Sequence, residues 1–169
     1  IGYAVGTTPL QMAAVYSAIA NNGVWIEPHL VREVIRADGH RILTKPRSRT
    51  VISPETAATM RSMLGRVVEA DDGTGRRARM TDYTAGGKTG TSRKFDVEAG
   101  RYSEDTMASF IGMAPLEDPQ LVVVVVLDTP RGALDDGTDL SLGGASAAPV
   151  FAEITQNALH QLGVAPDRE

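Results

Sequence analysis

The chain has 169 residues, 42% hydrophobic and 22% charged, with 17 Gly, 9 Pro and no Cys. That length suits one domain with a core of its own, and the composition excludes disorder, collagen-like repeats and a disulfide-stapled mini-protein. Its 17 basic and 21 acidic residues (net −4) argue against a general nucleic-acid binder, and its longest apolar run, Leu121–Leu127, is far short of the ~20 residues a membrane span needs.

The chain opens Ile1-Gly2-Tyr3 without an initiator Met, which leads us to expect a piece of a longer protein. Thr8-Pro9-Leu10-Gln11 predicts a helix start: Thr8 caps, Pro9 takes the first position and Gln11 completes a capping box. The helix that follows is apolar nearly all round, so burial on most sides is expected. Asn21-Asn22-Gly23 ends it with residues that tolerate a left-handed backbone. Trp25 reads as a core anchor.

Leu30–Arg36 and Arg41–Thr44 flank Asp38-Gly39, a hairpin signal. Ser53-Pro54-Glu55 starts a second helix with an apolar stripe at Ala57, Met60, Leu64, Val67 and Val68, and Met12, Met60 and Met63 read as core packing. Arg76, Arg77 and Arg79 follow Gly73-Thr74-Gly75 in what reads as a loop, with a phosphate or lipid site as the functional alternative.

Three strands are predicted next: Tyr83–Ser92, Ala108–Ala114 and Leu121–Asp128. The last is continuously β-branched, as expected of a central strand buried on both faces. The acidic stretches Phe95–Asp105 and Asp135–Asp139 read as solvated loops. Ser146 predicts the cap of a final helix with Pro149 in its first turn, Gly163 a stop, and 163–169 a frayed tail. Short connections between strands imply an α+β fold, an antiparallel sheet packed by helices. His29, His40 and His160 lie far apart with no ligand spacing, so no metal is expected.

The densest chemical signal is Gly86-Gly87-Lys88-Thr89-Gly90-Thr91, which an ordinary glycine-rich strand with an exposed lysine could also carry. Gly87-Lys88-Thr89 matches the end of a phosphate-binding P-loop, but Asp82 stands where that loop's first glycine belongs. Lys88-Thr89-Gly90 also matches the Lys-Thr-Gly strand of penicillin-recognising serine acyl-transferases.

Further stretches lie in the same order: Thr7–Ala13 with Ala20-Asn21-Asn22-Gly23, Pro28-His29-Leu30-Val31, Ala85–Lys94, Ala108–Pro115 and Ala148-Pro149-Val150-Phe151. On these stretches nearly the whole chain resembles the C-terminal part of the transpeptidase domain of class B penicillin-binding proteins. The resemblance implies a serine D,D-transpeptidase that cross-links peptidoglycan stem peptides ending in D-Ala-D-Ala and is acylated by β-lactams. It implies no cofactor. It places the parent at the extracytoplasmic face of the cytoplasmic membrane, held by an N-terminal anchor absent here, with other cell-wall synthesis proteins as possible partners. The absence of Cys suits that compartment.

Carried onto this chain, Lys88 is the ammonium that draws the substrate carboxylate and supports proton movement. Thr89 and Thr91 offer it hydroxyls, and the Thr91 backbone N–H is one of two oxyanion donors. Gly90 lets the substrate backbone approach, and Arg93 adds positive potential. No serine here has Lys three positions on, and no Ser-x-Asn is present, so the nucleophile belongs to a preceding half that this chain lacks. The stretch 131–142 has no aromatic residue, unlike the pocket walls of some relatives. A D,D-carboxypeptidase, a β-lactamase-type hydrolase and a non-catalytic penicillin-binding or sensor module remain alternatives.

Overall fold

A computed structural model describes residues 5–168, so Ile1-Gly2-Tyr3 and Glu169 lie outside the described residues. Helix α1 (Pro9–Ala20) begins with the expected capping box: Thr8 Oγ1 accepts from the Gln11 backbone, and Gln11 Oε1 accepts from the Thr8 backbone. It ends at Asn22 and Gly23, both at positive φ. Four short strands follow, β1 (Val24–Ile26), β2 (Glu33–Ile35), β3 (Arg41–Leu43) and β4 (Ser48–Thr50). β2 and β3 form the hairpin around Asp38-Gly39, and β1 pairs with β4, a ladder that periodicity did not reveal.

Helix α2 (Pro54–Glu69) is capped by Ser53. The main sheet consists of β5 (Gly86–Asp96), β6 (Arg101–Ala114) and β7 (Leu121–Asp128), antiparallel in the order β5-β6-β7. Helix α3 (Gly143–Gln161) closes the fold. Side chains alternate on β6 and so build two cores. Phe110 and Ala114 face α3 with Val125 and Phe151, while Ile111 and Met113 face α1 with Tyr16, Ile19 and Leu64. α2 lies against the start of β5, where a Cβ on Gly86 would come within 3.0 Å of the Gly65 nitrogen. Helices over an antiparallel sheet are the expected α+β class.

Several expectations need correction. β7 is the edge of the described sheet and β6 its centre. Its unbroken apolar run has another cause: Leu121, Val123, Val125 and Leu127 pack toward α3 while Val122 packs toward α1, so both faces are covered. The stretch Phe95–Asp105 is mostly hairpin. β5 runs on to Asp96 and β6 starts at Arg101, with Phe95 opposite Tyr102, and the charges sit on exposed strands. α1 is less buried than its composition suggests, with Leu10 and Val15 exposed, and Met63 on α2 is exposed as well. Trp25 is half-buried on β1 under the Arg49 guanidinium, outside both cores.

α3 starts three residues before Ser146, and Pro149 lies inside it rather than in its first turn. The reason is long-range. Gly143 presses onto the sheet, where an added Cβ would meet Ser109 O at 2.2 Å and Gly90 O at 2.4 Å. The tail does not fray over its described part. Gly163, at φ +69, turns the chain back, and Val164 packs on the α3-side core.

Candidate active site

The site is built on β5, which has β6 on one side and an open edge on the other. Directly opposed residues in an antiparallel pair share a face. Lys88, Gly90 and Ser92 lie opposite Ile111, Ser109 and Met107 and therefore face the α1 side. Thr89 and Thr91 lie opposite Phe110 and Ala108 and face the α3 side. The lysine stem thus leaves the strand from one face and the two threonine side chains from the other.

Lys88 is exposed, and its Nζ donates to Thr89 O (3.0 Å) and Thr89 Oγ1 (3.1 Å). Thr89 Oγ1 also lies 3.5 Å from Thr74 Oγ1. Thr91 Oγ1 accepts the Gly143 N–H at 3.1 Å, so the first residue of α3 fixes this hydroxyl. Gly90 is required by space, since a Cβ there would stand 2.5 Å from Ser109 Oγ. Arg93 turns away from this group and pairs with Glu104 across the hairpin at 3.5 Å, both side chains being more than half exposed.

On the α3 side Thr89 and Thr91 line an open cleft of about 410 Å³, shared with Thr74, Arg76, Arg77 and Gly144. The segment 73–77, expected as a loop, forms the opposite bank. Its signal was the Gly73-Thr74-Gly75 triplet: a Cβ on Gly73 would come within 2.3 Å of Val67 O, folding the loop back on α2. The pair Gly143-Gly144 was a second signal, because a Cβ on Gly144 would come within 2.5 Å of Thr74 O. Close approach of the loop, α3 and β5 is what shapes the cleft.

The arginine cluster splits by role. Arg79 donates to Val68 O (2.9 Å) and Glu69 O (2.8 Å), neutralising the C-terminal end of α2. Arg77 pairs with Asp136 at 2.8 Å, tying the loop 131–142 to the cleft bank. The Asp136 carboxyl is held below the ordinary aspartate range, first by hydrogen bonds from Thr138 and then by Arg77. Of the cluster, only Arg76 and Arg77 line the cleft. At the far end of the hairpin Lys94 reaches Asp128 at 2.8 Å and joins β5 to β7 across β6.

Residues 1–156 match the family described as penicillin binding protein transpeptidase domain. This chain belongs to that family. It is 39% identical to the penicillin-binding protein PbpB of Mycolicibacterium smegmatis over 99% of its length, covering 26% of that protein. It is also 39% identical to stage V sporulation protein D of Bacillus subtilis, over 98% of its length and 25% of that protein. Among solved structures, penicillin binding protein 3 from Mycobacterium tuberculosis complexed with ampicillin superposes with a TM-score of 0.87 at 34% identity, over 100% of this chain and 38% of that one. This transpeptidase-family chain therefore spans about a quarter of the length of those curated relatives. The fold expected from the motifs, a portion of a penicillin-binding transpeptidase fold, agrees with these neighbours.

Proposed function

We propose that this chain supplies the substrate-carboxylate and oxyanion wall of a serine D,D-transpeptidase site, completed by a preceding part of the same domain. The observation that carries this reading is the convergence of groups on β5, where Lys88 Nζ reaches to 3.1 Å from Thr89 Oγ1 and the Thr89 and Thr91 side chains line a cleft. A D-Ala-D-Ala stem peptide brings a terminal carboxylate and, one residue away, the carbonyl under attack. Thr89 and Thr91 hydroxyls donate to the carboxylate, and Lys88 adds a charge-assisted attraction. An extended substrate lies along the open edge of β5, where Gly90 keeps a side chain out of its path.

A serine from the preceding part attacks the penultimate carbonyl carbon, its proton passing toward the leaving amine. The carbonyl oxygen takes up negative charge and accepts a hydrogen bond from the Thr91 backbone N–H. Collapse breaks the peptide bond, releases D-alanine and leaves an ester. The amine of a second stem peptide then attacks that ester and frees the serine. A β-lactam enters by the same first step, with its amide bond opening in the ring. Peptidoglycan stem peptides and β-lactams are thus the ligands of this site, on the extracytoplasmic face of the membrane. The reading extends to other cell-wall synthesis proteins as partners of the whole protein. Arg93, committed to Glu104, contributes positive potential at most.

The full-length protein should be labelled covalently by a fluorescent penicillin, and Lys88→Ala should slow labelling by about 10²-fold or more, the scale of a lost catalytic group. Unlabelled, well-folded wild-type protein would overturn the reading. Normal labelling of the variant would remove Lys88 from its role.

A further inference from the structure

The C-terminal strap Val164–Arg168 bonds to Asp82, Tyr83 and Thr84, three of the four residues that lead into β5. We propose that it is a positioning device for the strand carrying Lys88, with Arg168 as its main positioning residue. The claim rests on the reading of β5 as the reacting strand.

Residues 82–85 precede the sheet, whose pairing with β6 begins at Gly86. The strap takes up polar groups of the first three instead. Asp82 O accepts the backbone N–H groups of Asp167 (3.1 Å) and Arg168 (3.2 Å). Tyr83 Oη donates to Val164 O at 2.7 Å, and Tyr83 O accepts Arg168 Nε at 2.9 Å. The Thr84 N–H donates to Asp167 Oδ1 at 2.7 Å, and its hydroxyl bonds the other oxygen of that carboxylate.

Arg168 then reaches the Glu69 carboxylate at the end of α2, whose second oxygen accepts the Ala85 N–H at 3.0 Å. One guanidinium therefore links α2, the lead-in segment and the strap. The carboxylate it pairs with is Glu69, while Asp167 is taken up by Thr84 and Asp82 by His160 at 2.8 Å. Without Arg168, the Glu69 carboxylate would keep the Ala85 N–H but lose its cation.

Lys88 stands three residues beyond this clamp, separated from it only by Gly86 and Gly87, which have no side chains to anchor themselves. What fixes the strand's entry is the clamp on one side and tight backbone contact on the other: a Cβ on Gly87 would meet Ile111 O at 2.6 Å. Loosening the clamp frees the strand to slide or tilt at its root. Displacements near 1 Å cost about 10²-fold in rate when a reacting group must be aligned.

The test uses Arg168→Met in the full-length protein, with Ile19→Val as a control, a buried residue of the α1-side core. In Arg168→Met, amide exchange at Gly87–Thr91 should speed up about 10-fold while exchange at Val122–Val126 is unchanged. Penicillin acylation should slow about 10-fold in its chemical step with little change in initial binding, and Arg168→Lys should recover part of both. Ile19→Val should raise exchange evenly and leave acylation as in wild type. Even exchange in Arg168→Met, or faster exchange with normal acylation, would overturn the proposal. If wild-type protein is not acylated at all, the transpeptidase reading fails, and the exchange pattern alone decides the strap.

Discussion

Two antiparallel hairpins in this molecule are held in opposite ways. The β5–β6 hairpin lies between helices, with Phe110 and Met113 fully buried on its two faces and glycines admitting backbone from α2 and α3. The β2–β3 hairpin stands clear of the core, and Val34, Ile35, Ile42 and Leu43 are exposed. It is held by its own turn, where Gly39 sits at φ +82 and Asp38 accepts the His40 N–H, and by a 3.4 Å pair between Arg41 and Glu33. One ladder is fixed by contacts distant in sequence, the other by neighbours. Only the first kind can hold groups to the tolerance that chemistry needs, and β5 is where the candidate site lies.

The strongest way to break this contrast is Gly143→Ala. The new methyl would overlap two backbone oxygens, which cannot rotate away as a side chain can. We expect a loss of about 4 kcal/mol or more in chemical denaturation, together with loss of the Thr91 contact. A loss under about 1 kcal/mol would mean that α3 can lift from the sheet cheaply, and the long-range account of this hairpin would fail.

Thr155 sharpens the same side of the comparison. It is fully buried on α3, and among the described residues its hydroxyl is the one buried side-chain polar atom without a partner. Thr155→Val keeps the shape and removes the orphaned group, so we expect stabilisation of about 1 kcal/mol and a higher melting temperature. Destabilisation would show that the hydroxyl has a partner after all. On the other side, Ile42→Ala should cost less than about 1 kcal/mol, since Ile42 is 40% exposed and its chief neighbour is Val34. A larger loss would place the β2–β3 hairpin in the cooperative core.

The same division explains what the sequence made legible. The Thr8 capping box, the Asp38-Gly39 turn and the Gly163 stop are local, and each is where the pattern placed it. The Lys88 motif was legible because it is a contiguous run. The start of α3 was not, because its cause is the approach of Gly143 to Ser109 and Gly90, and Ser146 offered a plausible local cap instead. The strap was read as frayed because its partners lie about eighty residues back. The run of valines in β7 reports that both faces are covered, not which strands pair at its edges, and so a central position was inferred for an edge strand. Arg76 and Arg77 lay in the sequence beside Thr74, but nothing local announced that α3 would bring them to Thr89.

The smallest effect lies in the β1–β4 ladder, between whose strands the β2–β3 hairpin is inserted in the chain. Arg47 closes the β1–β4 ladder by reaching Glu27 at 2.6 Å, and the Glu27 N–H donates to Arg47 O at 2.8 Å. Hydrogen bonding to Arg47 holds the Glu27 carboxyl below its ordinary range. A depressed folded-state pKa gives stability that is present above the unfolded value, about 4.3, and is lost as pH falls through the folded value. Acidification should therefore lower the amide protection factors of Val24–Ile26, taken against the intrinsic exchange rate at each pH, while Val123–Val125 keep theirs. Carboxyl titration by NMR should find Glu27 below the ordinary glutamate value, and Arg47→Gln should bring it back up. The pair is open to solvent, so global stability should hardly move. If the valines of β7 lost protection in the same pH window, the β1–β4 ladder would share the core's cooperativity, and the β2–β3 hairpin that it carries would not be set apart from the core as its contacts say it is.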